Sequence, residues 1–266
     1  MTILFDPHTH TRYSRSDFHH HGKGTVSENA RAAKKQKIGL CIADHGPGHM
    51  LFGIRHGDYV RLKADIDEAN AAAGRKMVLL GVEANLMNAD GETDAGLLPI
   101  EPELLLMGYH KGVYVRGASA RKLLYPTLLS PQKCRDLMTD AVVKAFARYP
   151  IDILTHPGEY VPIDMKRVAA AAVSFGVTLE LNEKHPMAEE DLAEALRAGA
   201  HFVVSSDAHR PDAVGRVSGA LRQAENAKIP KERIVNSGSY PFDKGLRMDR
   251  LCGWAASLAD FSTGQK

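Results

Sequence analysis

The chain has little of several things, and each shortage excludes a class of protein. Only three cysteines occur in 266 residues. Cys41, Cys134 and Cys252 are scattered and odd in number, which excludes a disulfide framework and points to a reducing cytoplasm; Cys41, inside an apolar run, reads as a buried thiol. No apolar run approaches the roughly 18 residues that span a bilayer, and Asp6 and His8 arrive before a signal-peptide core could form, so no membrane partner is expected. An excess of one charge is also missing. Against 34 Lys and Arg stand 32 Asp and Glu, a net of +2, and the basic residues form no stripe, which disfavours a nucleic-acid partner. There is no Gly-x-Ser-x-Gly elbow to support a serine nucleophile. Gly22-Lys23-Gly24 lacks the spacing of a nucleotide-binding P-loop and does not follow a strand directly. No repeat, low-complexity tract or Pro/Gly/Ser linker divides the chain. With 44% hydrophobic residues it can bury one large core, and residues 1–266 are read as a single domain.

What is present is alternation. Short β-rich runs fall at Ile3–Asp6, Ile38–Ala43, Met77–Val82, Glu103–Gly108, Ile151–Thr155, Val177–Leu181 and His201–Ser205,. Between them lie helix-like stretches, Ser27–Gln36, Tyr59–Ala73, Ser130–Arg148, Asp164–Ser174 and Ala188–Ala198, and a tail at about 246–258 reads as an amphipathic covering helix. Ser27 is a start signal, Pro131 suits a first helical position, and Gly176 and Gly199 act as stops. Strand–helix alternation gives a parallel sheet, either closed as a barrel or open and doubly wound.

The strand ends decide between the two. The first run leads into His8-Thr9-His10, and later ones end in Ala43-Asp44-His45, Val82-Glu83, Tyr109-His110, Thr155-His156-Pro157 and Ser206-Asp207-Ala208-His209. His-x-His on a strand puts both rings on one face, which is ligand geometry, although alone it is equally two ordinary polar residues. Metal-capable residues at nearly every strand end argue for a barrel, which gathers its C-terminal strand ends around one centre, rather than an open sheet with one crevice.

These motifs, in this order from His8 to His209, resemble the polymerase and histidinol phosphatase (PHP) family, and within it the stand-alone phosphoesterases. The resemblance implies a distorted (β/α)7 barrel with two or three divalent metal ions, Zn, Mn or Fe, at the C-terminal mouth. By position it implies a first metal on His8, His10, Glu83 and Asp207, a second on Glu83, His110 and His156, and a third on His45, His209 and a ligand from the loop after His10. The family's glycine-rich register falls on Gly22-Lys23-Gly24-Thr25, which makes His21 the match; the loop is longer than the family pattern, and Asp17, His19 and His20 are alternatives within it.

The residue types support this chemistry independently. Imidazole suits Zn, Mn and Fe, whereas carboxylates bridge neighbouring ions. Bound water is acidified toward neutrality, and ions about 3.5–4 Å apart can stabilise both attacking and leaving oxygens. Three divalent ions against two carboxylates leave about +4 in the mouth, favouring an anionic substrate. A small phosphorylated substrate is therefore expected, hydrolysed by attack of a metal-bound hydroxide, with Glu83 and Asp207 in catalytic roles and Arg210, next to His209, holding a phosphate oxygen. For Arg210 the plain alternative is a solvated surface charge. Asp44 is a ligand-orienting carboxylate or a turn residue. Glu180 and Asn182 are site contacts or structural. His49, His56, His185 and His201 read as bystanders, with His49 nearest the mouth. The loops 85–102 and 111–129, the second carrying Lys111, Arg116, Arg121 and Lys122, follow strand ends and should lie over the site. Two alternatives remain: an amidohydrolase-like metal hydrolase, which usually carries a bridging Lys where this chain has Glu83, and a non-enzymatic metal-binding regulatory domain, which should have lost ligands that are kept here.

Overall fold

The computed structural model describes residues 1–14, 21–114 and 129–263, with side chains described to residue 258. Strands β1 (Phe5–Thr9), β2 (Gly39–Ile42), β3 (Val78–Asn85), β4 (Leu104–Gly108), β5 (Ile153–Leu154), β6 (Thr178–Asn182) and β7 (Phe202–Ser205) form one parallel sheet in sequence order. The helices are α1 (Val26–Gln36), α2 (His56–Ala73), α3 (Pro131–Arg148), α4 (Met165–Phe175), α5 (Glu189–Arg197), α6 (Ser218–Asn226) and α7 (Cys252–Thr263). The expected alternation holds. α6 was not anticipated, and the tail begins as a 3-10 turn over Arg247–Leu251 before becoming α7.

Local chemistry sets the helix ends. α1 starts on Thr25 rather than Ser27, because Thr25 and Glu28 form a reciprocal capping box,. Pro131 opens α3 where its missing N–H costs nothing,. Gly176, at φ 69°, closes α4 in the left-handed conformation that glycine tolerates,.

The sheet closes between β7 and β1. His10 N–H donates to Ala208 O at 2.8 Å and Ala208 N–H to His8 O at 3.3 Å. Lower in the seam the Asn236 amide stands in for a strand, donating to Phe5 O and Val204 O at 2.8 and 2.7 Å and accepting from Val204 N–H at 3.1 Å. Closure makes the strands alternate between a barrel interior and a helix-facing surface. Phe5, Cys41, Leu79, Leu104, Leu106, Ile153 and Val203 fill the interior together with Leu246, Met248, Leu251, Ala255 and Leu258 of the tail. The tail thus plugs the N-terminal end of the barrel, where Arg250 pairs with buried Asp152 and Trp254 donates to Lys76 O at 3.1 Å. Leu40, Ile42, Val78, Leu80, Val82, Leu105 and Met107 face the helices. With the bottom sealed by hydrocarbon, the open end is the C-terminal mouth. No helix among the described residues is long and apolar enough to cross a membrane.

Candidate metal centre

The interior side of each strand turns polar as it reaches the mouth, and the titratable residues there meet. Glu83, on β3, lies at the centre. Its Oε1 is 3.1 Å from His110 Nε2 and 2.9 Å from His156 Nε2, and accepts from Thr155 Oγ1 at 3.0 Å. Its Oε2 is 3.0 Å from His45 Nδ1, 3.3 Å from His8 Nε2 and 3.7 Å from His10 Nε2. One carboxylate therefore presents each oxygen to a separate set of imidazoles. Asp207 Oδ1 lies 3.4 Å from His10 Nε2 and 3.3 Å from His209 Nδ1. Three groups bring their ligand atoms close enough to share an ion: His8, His10 and Asp207; His10, His45 and Glu83; Glu83, His110 and His156.

These residues fit divalent ions on a further observation. His10 Nδ1, His45 Nδ1 and Asp207 Oδ1 are buried and hydrogen-bonded to nothing, although Glu83 and other charged groups are within 4 Å. Such orphaned atoms are costly unless a ligand satisfies them; Asp207 Oδ1 and His45 Nδ1 face the centre, whereas His10 presents its Nε2 there and turns Nδ1 toward Asp44. The charge balance agrees. Burial would depress His8, yet Glu83, Glu180 and Asp207 hold it well above the ordinary imidazole value, the mark of a pocket short of positive charge. Burial would raise Glu83, but His110, His8 and His45 keep it well below the usual carboxylate range. At other rings burial dominates: His45 and His110 are lowered, His21 falls to about 2 and His209 to about 3, which favours the neutral, ligating form,.

Backbone strain accompanies the site. His156 and Asp207 adopt φ of 28° and 49°; non-glycine residues at positive φ typically cost ~1–3 kcal/mol and cluster at functional positions. Gly108 has to be glycine, because a Cβ there would lie 2.5 Å from Thr155 Oγ1 and 3.0–3.1 Å from the rings of His156 and His110. Gly22 is equally constrained, since a Cβ would meet Thr11 O at 2.2 Å. That close packing holds His21, whose N–H donates to Ser14 O at 3.0 Å. The His21 ring stacks on Phe52 at 4.2 Å and stands edge-on to His209 at 4.0 Å, with His45 at 5.1 Å.

The expected residues His8, His10, His21, His45, Glu83, His110, His156, Asp207 and His209 are thus brought together. His45 lies nearer Glu83 than the implied three-site partition places it. Arg210 is turned away: its side chain is 65% exposed and paired with Asp212 at 3.1 Å, and it does not line the mouth. Asp17, His19, His20, Arg116, Arg121 and Lys122 lie outside the described residues. Asp44 sits behind the centre, accepting from Thr11 N–H at 2.7 Å, with His10 Nδ1 3.8 Å away.

Several contributors were left open or passed over in the sequence. Glu180 Oε1 contacts His8 Nδ1 at 2.7 Å and accepts from Ser205 Oγ at 2.6 Å, while its Oε2 accepts from His156 N–H at 2.7 Å. Asn85 accepts from His110 Nδ1 at 2.8 Å and is held by Asp94, to which its amide donates at 2.6 Å. The period-two parity of Glu180 and Asn182 on β6, and of Glu83 and Asn85 on β3, is the signal that could have found them. His185 lines the mouth, with Nδ1 3.0 Å from Glu159 and Nε2 3.9 Å from Asp207. Lys184 Nζ reaches His209 Nδ1 and lies 3.6 Å from Asp207 Oδ1.

No family model matches the chain. It is 32% identical over 248 residues to a probable phosphatase of Shewanella sediminis (strain HAW-EB3), covering 89% of this chain and 90% of that protein. It is 31% identical over 248 residues to a probable phosphatase of Caldanaerobacter subterraneus subsp. tengcongensis, covering 89% and 88%. Its fold matches the crystal structure of histidinol phosphate phosphatase from Lactococcus lactis, complexed with zinc, L-histidinol and phosphate, at a TM-score of 0.58 over 85% of this chain and 93% of that one; the 12% identity makes this a likeness of fold alone. On the strength of these sequence matches over 248 residues, the chain belongs to the family of these bacterial probable phosphatases.

Proposed function

We propose that the protein is a metal-dependent phosphoesterase of the PHP type that hydrolyses a small phosphate monoester. The observation that carries this reading is Glu83, whose two oxygens face His110 and His156 on one side and His8, His10 and His45 on the other. In this reading His8, His10, Glu83 and Asp207 hold one ion, Glu83, His110 and His156 a second, and His21, His45 and His209 a third. Bound there, divalent ions would lower the pKa of a coordinated water and offset the charge of a phosphate. The remaining residues bind and orient. Glu180 and Asn85 fix the rings of His8 and His110 through the nitrogen turned away from the centre, as buried partners of metal-binding histidines do. In this reading Lys184, whose Nζ is 3.6 Å from Asp207 Oδ1, meets a phosphate oxygen in place of Arg210. His185, braced by Glu159, presents its other nitrogen to the cavity. The relatives are named as phosphatases, and the fold neighbour was solved with zinc and phosphate; both agree with this reading.

The test uses one purified sample. Metal analysis should find at least two equivalents, and a chromogenic phosphate ester should be cleaved and then spared after chelation. Cleavage of an amide or lactone panel with no phosphate-ester turnover would overturn the proposal.

A further inference from the structure

The cavity above the centre measures about 240 Å3, and beyond the residues assigned to metal its walls are His49, Phe52, Lys111, Tyr160 and His185. None of these is a carboxylate. The acids nearby are already engaged: Glu159 pairs with His185 at 3.0 Å, Glu183 accepts from Gly219 and Ala220 N–H at the start of α6 at 2.7 and 2.9 Å, and Asp94 is buried beneath Asn85 and Gly48.

Among the described residues lining the cavity, Lys111 is the cation left over. Its Nζ lies 5.8 Å from the centre of the Tyr160 ring, and no carboxylate among the described residues comes within ion-pair distance of it. It does not hang from a loose loop. Met50 N–H donates to Gly112 O at 2.9 Å, Tyr114 N–H donates to Gly48 O at 2.8 Å, and His49 bridges Val113. This short antiparallel ladder fixes the start of the loop at the rim. Lys184 stands separately, at the edge of the mouth beside Asp207 and His209.

Two cations thus border a site that one phosphate would occupy. We propose, resting on the phosphatase reading, that the site selects monoesters whose alcohol part carries a second anionic group, a carboxylate or a further phosphate, with Lys111 as its partner. An ammonium on the alcohol part would face Lys111 and find, among the described residues of the walls outside the metal-assigned set, no carboxylate to receive it. Like charges set side by side at an interface disfavour the wrong ligand, even where, as at Lys111, the group is exposed,. The second anion instead neutralises Lys111 at the rim, where Tyr160 excludes water from one side.

Four phosphonates of matched length, none of them hydrolysable, test this by calorimetry on the metal-loaded protein: 3-phosphonopropionate, propane-1,3-bisphosphonate, propylphosphonate and 3-aminopropylphosphonate. The two anionic ligands should bind about 2- to 5-fold more tightly than propylphosphonate, as for a partly exposed ion pair, and the aminopropyl compound should bind weakest. The gap should narrow as salt rises. Whichever anionic ligand binds more tightly identifies carboxylate or phosphate as the preferred group. Lys111→Met should bring the anionic and neutral ligands together, and Lys111→Glu should reverse the order, a result that loss of folding cannot mimic. Equal binding of anionic and neutral ligands, tightest binding of the aminopropyl compound, or an order unchanged in Lys111→Glu would overturn the inference. Failure of every phosphonate to bind metal-replete protein would sink the phosphatase reading and this inference with it.

Discussion

On the inner side of the centre, His8, Glu83 and His156 sit on or just after β1, β3 and β5, and each is backed by another buried group: Glu180 behind His8 and His156, Thr155 behind Glu83. On the outer side, His21 and His209 stand on loops, where His21 rests against the Phe52 ring and His209 against the Asp207 carbonyl and Lys184. The inner residues are nearly inaccessible, whereas the His209 side chain is 21% exposed. Strand backbone and paired carboxylates organise the inner positions before any ion binds; the outer ones rely on loop packing, so an ion there must also stabilise its own cradle. Affinity should therefore be graded from the inside outward.

The largest test of that gradient strikes the group both sides share. Glu83→Gln keeps the shape of the side chain and removes the charge that faces two sets of imidazoles. Turnover of a phosphate ester should fall at least ~100-fold, with metal lost from the inner positions and the far-ultraviolet circular dichroism unchanged. Near wild-type turnover would show that the carboxylate does not bridge.

A smaller effect should come from Glu180, which does not line the mouth. Glu180→Gln leaves His8 Nδ1 with a weaker partner and turns an amide N–H₂ toward groups that now donate to the carboxylate. Inner-site metal affinity should drop ~10–100-fold, the usual cost of losing the partner of a metal-binding histidine, while His21→Ala leaves inner-site affinity largely intact. Competition with a chelator of known affinity measures both.

The barrel and most of the centre were legible because both follow from pattern. Short continuous apolar runs, buried on both faces, set the strands,, and the residues that break the hydrocarbon at each strand end become the centre. β5 is only two residues long, yet Thr155-His156 still marked its end. Direction on loops was not legible. Arg210 follows His209 directly, but the chain enters a 3-10 turn at Pro211 and its side chain turns out to Asp212. Lys184 and His185 turn inward because Asn182 Oδ1 accepts from both of their N–H groups, at 2.9 and 3.1 Å, an Asx-type turn that sequence adjacency alone does not orient. The position of His45 was obscured for a similar reason: it lies just beyond β2 and forms a bridge with Glu83, which brings its Nδ1 within 3.0 Å of that carboxylate.

The outer position should fail first. His21→Ala should lower bound metal by about one equivalent and reduce activity ~10-fold or less, and in the wild-type protein one equivalent should leave at chelator concentrations that spare the rest. Unchanged metal content in His21→Ala would show that the His21–His209 contact is packing rather than ligation.

The smallest difference separates two neighbouring cations. Lys184 reaches Asp207 and His209, whereas Arg210 is mostly exposed and already paired. If Lys184 meets a phosphate oxygen, Lys184→Met should raise KM several-fold, about 5–10, because truncating a partly buried cation removes attraction for the bound anion. It should also weaken competitive inhibition by inorganic phosphate to the same degree, with metal content unchanged. Arg210→Met should move either quantity by less than about 2-fold, the expectation for an exposed pair. The reverse pattern, with Arg210→Met weakening phosphate inhibition and Lys184→Met leaving it alone, would mean that the loop after His209 turns inward when phosphate binds and that the cation following the last ligand is the phosphate contact after all.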